Sequence, residues 1–275
     1  MIKQTLKYYR QLNAEVPGLR TVVVTHPEEL SAAKELHART YRALDLVTEA
    51  ELTSDGLYIG ADADPHQQHA KYFSVQELRD GDPITVAAVR IIYAEPGKGL
   101  ASFPTYVSWA LYPEYQSLLE GLDPASCGEI SALVREPGVS GKVTLMLYRA
   151  IWHYSLEQRY ARLLVSCDAR LYGRCKMIFG ASWMRAGPGG YDRNVRMVPV
   201  VVDVSSSLDE ALKLSKVNPV KRRVKLRALE FFLRGLPEKS VLPSHRAKLD
   251  RYRLETTAPE VAGEPSSRAG RDAHS

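Results

Sequence analysis

Residues 128–142 read GEISALVREPGVSGK and decide the fold, because they pass from a strand through a glycine-bearing turn into a helix. From residue 129 to residue 134 apolar residues occupy every second position, which predicts a strand. The turn follows as REPGVSGK at residues 135–142. Apolar residues then recur at positions 143, 147, 150, 151 and 154, a helical spacing that predicts a helix over residues 143–160.

The segments before this stretch predict a helix and an antiparallel hairpin. Thr25 gives a cap signal for a helix over residues 27–46, whose apolar positions follow at helical spacing. Residues 53–69 are rich in Asp, Gly and His and predict a loop. Two β-branched or aromatic runs, at residues 71–76 and 84–93, are separated by RDGDP, which predicts a hairpin turn.

The segments after the helix complete an α/β pattern. A short apolar run at residues 163–167 predicts a buried strand, and a second helix follows between a cap at Asp168 and a glycine stop at Gly180. A final hairpin is predicted with arms at residues 182–186 and 196–204. The fold class is therefore α/β, with a mixed sheet flanked by helices.

The charge distribution divides the chain of 275 residues into three parts. Residues 1–215 are predicted to form the α/β domain, residues 216–254 a basic helical extension, and residues 255–275 a disordered tail. The stretch 216–253 carries a net charge of +9 although the whole chain carries only +5. This excess predicts an anionic partner, and the alternative is a solvated helix face.

Composition excludes several classes of protein. Three cysteines are too few and too irregularly spaced for a disulfide framework or a four-ligand metal site, and they fit a reducing, cytoplasmic setting. No apolar run approaches the length of a membrane span, and the amino-terminal residues lack the apolar core of a signal peptide. His66 and His69 share a loop with Asp62 and Asp64, but the spacing of these residues is not that of metal ligands, so no metal is expected.

The turn at residues 135–142 has the chemistry of a phosphate site. Glycines let the backbone approach a phosphate, and the start of the following helix offers free N–H groups and a positive dipole end. The order of elements and this turn resemble the GNAT acyltransferase superfamily and its acyl-thioester pyrophosphate loop. The resemblance implies a GNAT-like fold and phosphate contacts from Arg135, Gly138, Gly141 and Lys142. A plain helix entry with a glycine turn is the alternative.

Glu129 is the predicted catalytic base. It and Ser131 point to the same side of the strand that leads into the loop. A protonated amine must lose a proton before it attacks a thioester, so a carboxylate here is useful, and Ser131 could assist through its hydroxyl. The alternative is a solvent-facing strand residue. Tyr172 lies where many GNAT enzymes keep a general acid for the thiolate, and its alternative is a packing role.

Four short patches resemble the bacterial autoinducer synthases and the related N-acyl amino acid synthases. They are residues 39–42 (RTYR), Asp62 and Asp64 with His69, Arg90, and residues 128–131 (GEIS). The resemblance implies that Arg39, Asp62, Asp64, Arg90 and Glu129 surround the site. His69 either orients an acidic neighbour or sits at a strand edge. Arg90 either binds an acceptor carboxylate or pairs with one of the two aspartates.

Two departures from the autoinducer pattern shift the predicted product. One residue separates Asp62 from Asp64 where that pattern has two, and Ala132 stands where it favours arginine. Simple N-acylation of an amino acid or another amine is therefore favoured over formation of a homoserine lactone, and S-adenosylmethionine is not the expected acceptor. An acyl carrier protein or acyl-CoA is the expected co-substrate, and no permanently bound cofactor is expected.

The predicted function is N-acyl transfer, with a long acyl chain, from carrier protein or CoA to an amine. The basic extension would dock an acidic acyl carrier protein or lie on an anionic membrane. One alternative is an acetyl-CoA-dependent N-acetyltransferase, which needs only a smaller acyl pocket. Another is a non-catalytic module whose basic arm holds nucleic acid, although no recognised nucleic-acid motif is present.

Overall fold

The computed structural model of the chain describes residues 17–53, 66–192, 194–212 and 230–236. In these ranges the chain forms one mixed sheet of eight strands with flanking helices. The strands are β1 (Leu19–Val23), β2 (Ala70–Arg79), β3 (Asp82–Tyr93), β4 (Cys127–Arg135), β5 (Arg162–Asp168), β6 (Trp183–Arg185), β7 (Gly190–Asp192) and β8 (Val195–Asp203). The helices are α1 (Pro27–Ala43), α2 (Pro104–Ser108), α3 (Pro113–Glu120), α4 (Lys142–Glu157), α5 (Ala169–Phe179) and α6 (Val204–Leu212).

The strand order is β1-β2-β3-β4-β5-β8-β6, and β7 also pairs with β8. Neighbouring strands are antiparallel except for β4 and β5, which are parallel. The exception follows from connectivity, because α4 is the crossover that returns the chain to the same end of the sheet. The predicted mixed sheet flanked by helices is confirmed.

Where the local sequence signals are strongest, the structure contains the predicted elements. β2 and β3 form the hairpin, and Asp80 and Gly81 at its tip have φ angles of 56° and 96°, as a two-residue turn between twisted strands requires. The Asp168 carboxylate accepts hydrogen bonds from the first-turn N–H groups of α5 at 2.6 and 3.3 Å. Gly180 ends α5 with φ 60°.

Several elements differ from the prediction. α1 ends at Ala43 instead of residue 46, and its N-cap is His26 instead of Thr25. β1, α6 and the two short helices within residues 95–125 are not predicted, because elements of five to nine residues are too short to show a clear period. The final hairpin forms, but β7 occupies part of its predicted turn.

The two faces of the sheet are covered by different elements. Phe73 of β2 contacts the ring of Tyr154 in α4, with 5.4 Å between centroids, so α4 covers that face. Ser74 and Ala88 are paired neighbours that point to the opposite face, where Ala88 packs against α1.

No helix among the described residues is long and apolar enough to cross a membrane.

Residues 230–236, part of the predicted basic extension, pack against the helices that cover the sheet. Phe231 and Phe232 are buried, and the Phe232 carbonyl lies 2.7 Å from Nε2 of His153 in α4. The guanidinium of Arg149 lies 4.6 Å from the centre of the Phe231 ring. The rest of the predicted extension and the predicted tail lie outside the described residues.

At Gly187, the backbone after β6 lies in close contact with the segment between α2 and α3. A Cβ at this position would collide with the Ala110 carbonyl oxygen and approach Pro199 Cγ at 2.9 Å. We expect Gly187→Ala to lower the free energy of unfolding by about 1–3 kcal/mol, because the backbone must shift to relieve the overlap. Urea unfolding measures this change.

Gly173→Ala in α5 is the matched control. A Cβ there meets no atom within 4 Å, so alanine should raise the free energy of unfolding by about 0.4–1 kcal/mol by restricting the unfolded chain. Equal stability of the two variants would contradict the close approach at Gly187.

Candidate active site

The candidate site lies on the sheet face that carries Ala88, Arg90 and Ile92 of β3. Ala88 packs under α1, and Ile92 packs under the segment of residues 94–126. Arg90 is midway between them on the same face, because side chains alternate along a strand. The cationic side chain of Arg90 therefore lies where these two covering elements meet.

Glu129 is buried beside this boundary and held by one residue. It is 3% exposed, and the Thr105 N–H donates to its two carboxyl oxygens at 3.1 and 2.9 Å. The Thr105 hydroxyl donates to Oε1 at 2.8 Å. Burial raises the pKa of Glu129 to about 7, although the Thr105 hydrogen bonds and the charge of Arg90 oppose the rise. A carboxyl group with this pKa can accept and release a proton near neutral pH.

Arg90 is the cation nearest to this carboxyl group on β3. Its Nη1 donates to the Tyr72 hydroxyl at 3.0 Å, and Ser131 lies opposite it on β4. Burial lowers the pKa of Arg90 to about 10 while the Glu129 carboxylate opposes that change. Arg90 therefore stays charged at neutral pH and can attract a carboxylate of a bound molecule.

α1 contributes His37, which the sequence analysis did not select, and Tyr41, which lies in the RTYR patch. Their rings meet edge to face with centroids 4.0 Å apart. Burial and the charge of Arg90 lower the pKa of His37 to about 4, so its ring is neutral at pH 7. Arg39, the predicted ligand, is exposed, because it is about 200° around the helix from His37. The buried spacing of Ala33, Leu36 and Thr40 was the signal that could have favoured His37.

β4 carries a bulge directly after Ser131. Arg90 pairs with Ser131 and Ala88 pairs with Val134, so two residues of β4 face a single residue of β3. Ala132 there has φ 51°, which breaks the predicted alternation of residues 129–134 beyond Ser131. A bulge leaves one residue unpaired in the ladder, and thereby supplies a backbone N–H that a ligand can use.

β4 and β5 separate at the same level. Their pairing ends at Ile130 and Val165, whereas β4 continues to Arg135 and β5 to Asp168. Ser166, the first β5 residue beyond the pairing, contacts the Thr105 hydroxyl at 3.0 Å. The opening between the two strands therefore begins next to Glu129.

The predicted phosphate loop occupies the end of β4 beside this opening. Arg135 donates from Nη1 to the Val139 carbonyl at 2.6 Å, so its guanidinium shapes the loop. Gly138 has φ 82°, and a Cβ there would meet no atom within 4 Å, so the loop backbone is approachable at this point. Gly141 is the N-cap of α4, and Lys142, its first residue, is buried.

The other predicted residues are more peripheral or outside the described ranges. Tyr172 in α5 is half-buried, and burial raises its pKa while Arg185 opposes the rise. His69 is the last residue of a short turn that precedes β2, and the centroid of its ring lies 5.8 Å from the centroid of the Tyr93 ring. Asp62 and Asp64 lie outside the described residues.

Other reactive groups do not gather at the site. Burial raises the pKa of all three cysteine thiols, Cys127, Cys167 and Cys175, which keeps them protonated at neutral pH. Across the described ranges, no group of three or more His, Cys, Asp or Glu side chains is placed to hold a metal ion.

Several solved structures of acyltransferases align with this chain. FeeM, an N-acyl amino acid synthase from uncultured soil microbes, aligns with a TM-score of 0.52 and 15% identity over 71% of this chain and 96% of its own. The AHL synthase LasI aligns with a TM-score of 0.46 and 18% identity over 68% of this chain and 90% of its own. MesI, a CoA-dependent acyl-homoserine lactone synthase, aligns with a TM-score of 0.49 and 16% identity over 77% of this chain and 95% of its own.

The likeness to FeeM confirms the predicted GNAT-like fold. No protein-family model matches the chain, and no curated protein matches it by sequence.

The raised pKa of Glu129 predicts a pH-dependent stability. The folded state holds this proton more tightly than the unfolded state, so stability should fall as pH rises from about 4.5 to about 7. Glu129→Gln removes that dependence. We expect the variant to be up to about 3 kcal/mol more stable than the native chain at pH 8, and of similar stability near pH 4.5. Urea unfolding at both pH values measures the difference, and a constant difference would contradict the raised pKa.

Proposed function

We propose that this protein is an N-acyltransferase that moves an acyl group, long-chain in our proposal, from an acyl carrier protein or CoA thioester to the amine of an amino acid or similar acceptor. The observation that carries the proposal is a buried carboxyl group, Glu129, with a pKa near 7 at the point where β4 and β5 separate. The GNAT-like fold supports acyl transfer as the reaction class.

The donor thioester lies in the opening between β4 and β5 in this proposal. Its phosphate-bearing arm extends to the loop that contains Gly138 and Gly141, where approachable backbone and the start of α4 suit an anion. Arg135 and Lys142 stay predicted contributors to this subsite. The thioester carbonyl then lies next to the bulge at Ala132, where a backbone N–H of the bulge stabilises the oxyanion that forms.

The acceptor lies between α1 and β3. Arg90 attracts its carboxylate, the acceptor reacts as its free amine, and Glu129 takes the proton that the nitrogen loses as the C–N bond forms. The neutral amine attacks the carbonyl carbon, the C–N bond forms, and the C–S bond breaks. Ser131 faces the same side as Arg90 and can orient the amine, while Asp62, Asp64, Arg39 and His69 stay predicted acceptor ligands.

An apolar cluster next to Glu129 supports a long acyl chain. Ile92 and Leu164 flank Glu129 in the neighbouring strands and belong to a cluster that Phe103 and Leu119 cover. A chain that lies against the partly buried apolar side chains at the edge of this cluster gains about 0.8 kcal/mol for each buried CH₂ group. This gain favours a long-chain donor over acetyl-CoA.

The proposed partners rest on the charge of residues 216–253, and the proposed compartment rests on the cysteines. The net charge of +9 in residues 216–253 supports docking of an acidic acyl carrier protein or contact with an anionic membrane. Three unpaired cysteines suit a reducing cytoplasm.

Glu129→Gln tests the base. We expect turnover to fall by about 10²- to 10⁴-fold while KM for the thioester changes little, because the amide cannot accept the proton but fills the same space. Release of thiol from dodecanoyl-CoA in a mixture of the proteinogenic amino acids measures the rate. The exposed Glu114→Gln in α3 is the matched control and should keep full activity. Equal rates in both variants would remove Glu129 from the mechanism.

Mass spectrometry of lipid extracts tests the product. Bacteria that express the chain should accumulate a long-chain N-acylated amine that is absent from cells expressing Glu129→Gln. That product would name the acceptor and the chain length. If the purified protein instead releases thiol only from acetyl-CoA, the small-group acetyltransferase is the correct function.

A further inference from the structure

A chain of two hydroxyl groups links Glu129 to the opening between β4 and β5. The Thr105 hydroxyl lies 2.8 Å from Glu129 Oε1 and 3.0 Å from the Ser166 hydroxyl. Thr105 is 1% exposed, so water does not separate the members of this chain at its inner end. Each step has the length of an ordinary O–H···O hydrogen bond.

Ser166 is the outer end of this chain. It is the first residue of β5 beyond Val165, the last β5 residue paired with β4, and it is half-buried. In the proposed function, the sulfur of the donor thioester lies in this opening. Ser166 therefore faces the leaving group, whereas Glu129 faces the amine.

Glu129 needs a route by which to lose its proton. Its carboxyl group is 3% exposed, and it must be deprotonated again before each new amine arrives. The Thr105 N–H bonds can only donate to it, and they do not carry a proton away. The Thr105 hydroxyl can both donate and accept, and so can the Ser166 hydroxyl.

We propose that Thr105 and Ser166 form a proton relay through which Glu129 returns the proton of the amine to the departing thiolate. The inference rests on the proposed function and adds the identity of the general acid. Before attack, Ser166 donates to Thr105 and Thr105 donates to the Glu129 carboxylate. After Glu129 takes a proton, the chain runs in the opposite direction.

Every proton and electron pair in the step is accounted for. The amine nitrogen uses its lone pair to bond the carbonyl carbon, and Glu129 takes the nitrogen's proton. The C–S bond electrons leave with the sulfur as the oxyanion collapses. Glu129 then passes its proton to Thr105 Oγ1, Thr105 passes its own to Ser166 Oγ, and Ser166 passes its own to the sulfur. The products are an amide and a free thiol.

The relay assigns the leaving-group proton to a different residue from the one predicted from the sequence. Tyr172 belongs to α5, near Arg185 and Tyr115. Ser166 is connected to the base by hydrogen bonds of known length, and Tyr172 is not part of that chain.

Ser166→Ala breaks the relay at a residue that does not touch Glu129. With dodecanoyl-CoA and a mixture of the proteinogenic amino acids, we expect kcat to fall by about 10²-fold and KM to change little. With the phenyl thioester of dodecanoic acid, whose thiol is far more acidic and leaves without a proton, the loss should shrink to about threefold or less. Ser166→Thr keeps a hydroxyl and should restore the rate with dodecanoyl-CoA.

The controls separate a relay from a structural role. Ser117→Ala changes an exposed serine of α3 and should match the native chain with both donors. The ascending limb of the pH–rate profile should stay in place in Ser166→Ala, because Thr105 still holds Glu129. Equal losses with both thioesters, or no loss with either, overturn the relay. A native chain that releases no thiol with any amine or donor instead contradicts the proposed function itself.

Thr105 gives a second, independent pair of variants. Thr105→Ser keeps the hydroxyl and should retain activity within about threefold, whereas Thr105→Val should lose it with dodecanoyl-CoA by about 10²-fold or more. If Thr105→Val folds and matches Thr105→Ser, the hydroxyl chain does not carry the proton.

Discussion

The hydrogen bonds between Thr105 and Glu129 are the interaction on which the site depends. Desolvation alone would leave the carboxyl group protonated at neutral pH, and two hydrogen-bonding groups of one residue offset part of that effect. The same bonds join residues 94–126 to the centre of the sheet, although that segment contains only short helices. The position and the protonation of Glu129 are therefore set together.

The topology of the sheet explains why an opening forms beside Glu129. β4 and β5 are neighbours because a helix crosses between them, and parallel strands joined in this way are not held by a turn at either end. Their pairing stops at Ile130 and Val165, and the bulge at Ala132 bends β4 at nearly the same level. Two backbone irregularities thus coincide where a reactive group is buried.

Sequence reasoning succeeded where local signals are strong and failed where tertiary contacts decide. The cap at Asp168 and the stop at Gly180 are each encoded by a single residue, and both were predicted. Glu129 was selected from its strand position, but its partner Thr105 lies in a five-residue helix that has no period to detect. On α1, Arg39 was selected because residues 39–42 resemble a patch of the autoinducer synthases, whereas the burial of the neutral His37 ring depends on the sheet beneath it.

The attachment of residues 230–236 has a consequence for shortened versions of the protein. Phe232 packs against the rings of Trp152 and Phe179, so a chain cut before residue 230 would expose a cluster of aromatic side chains to water. Exposed clusters of this kind drive self-association. A truncation intended to remove the basic segment should therefore spare the two phenylalanines or replace the aromatic residues that they cover with polar ones.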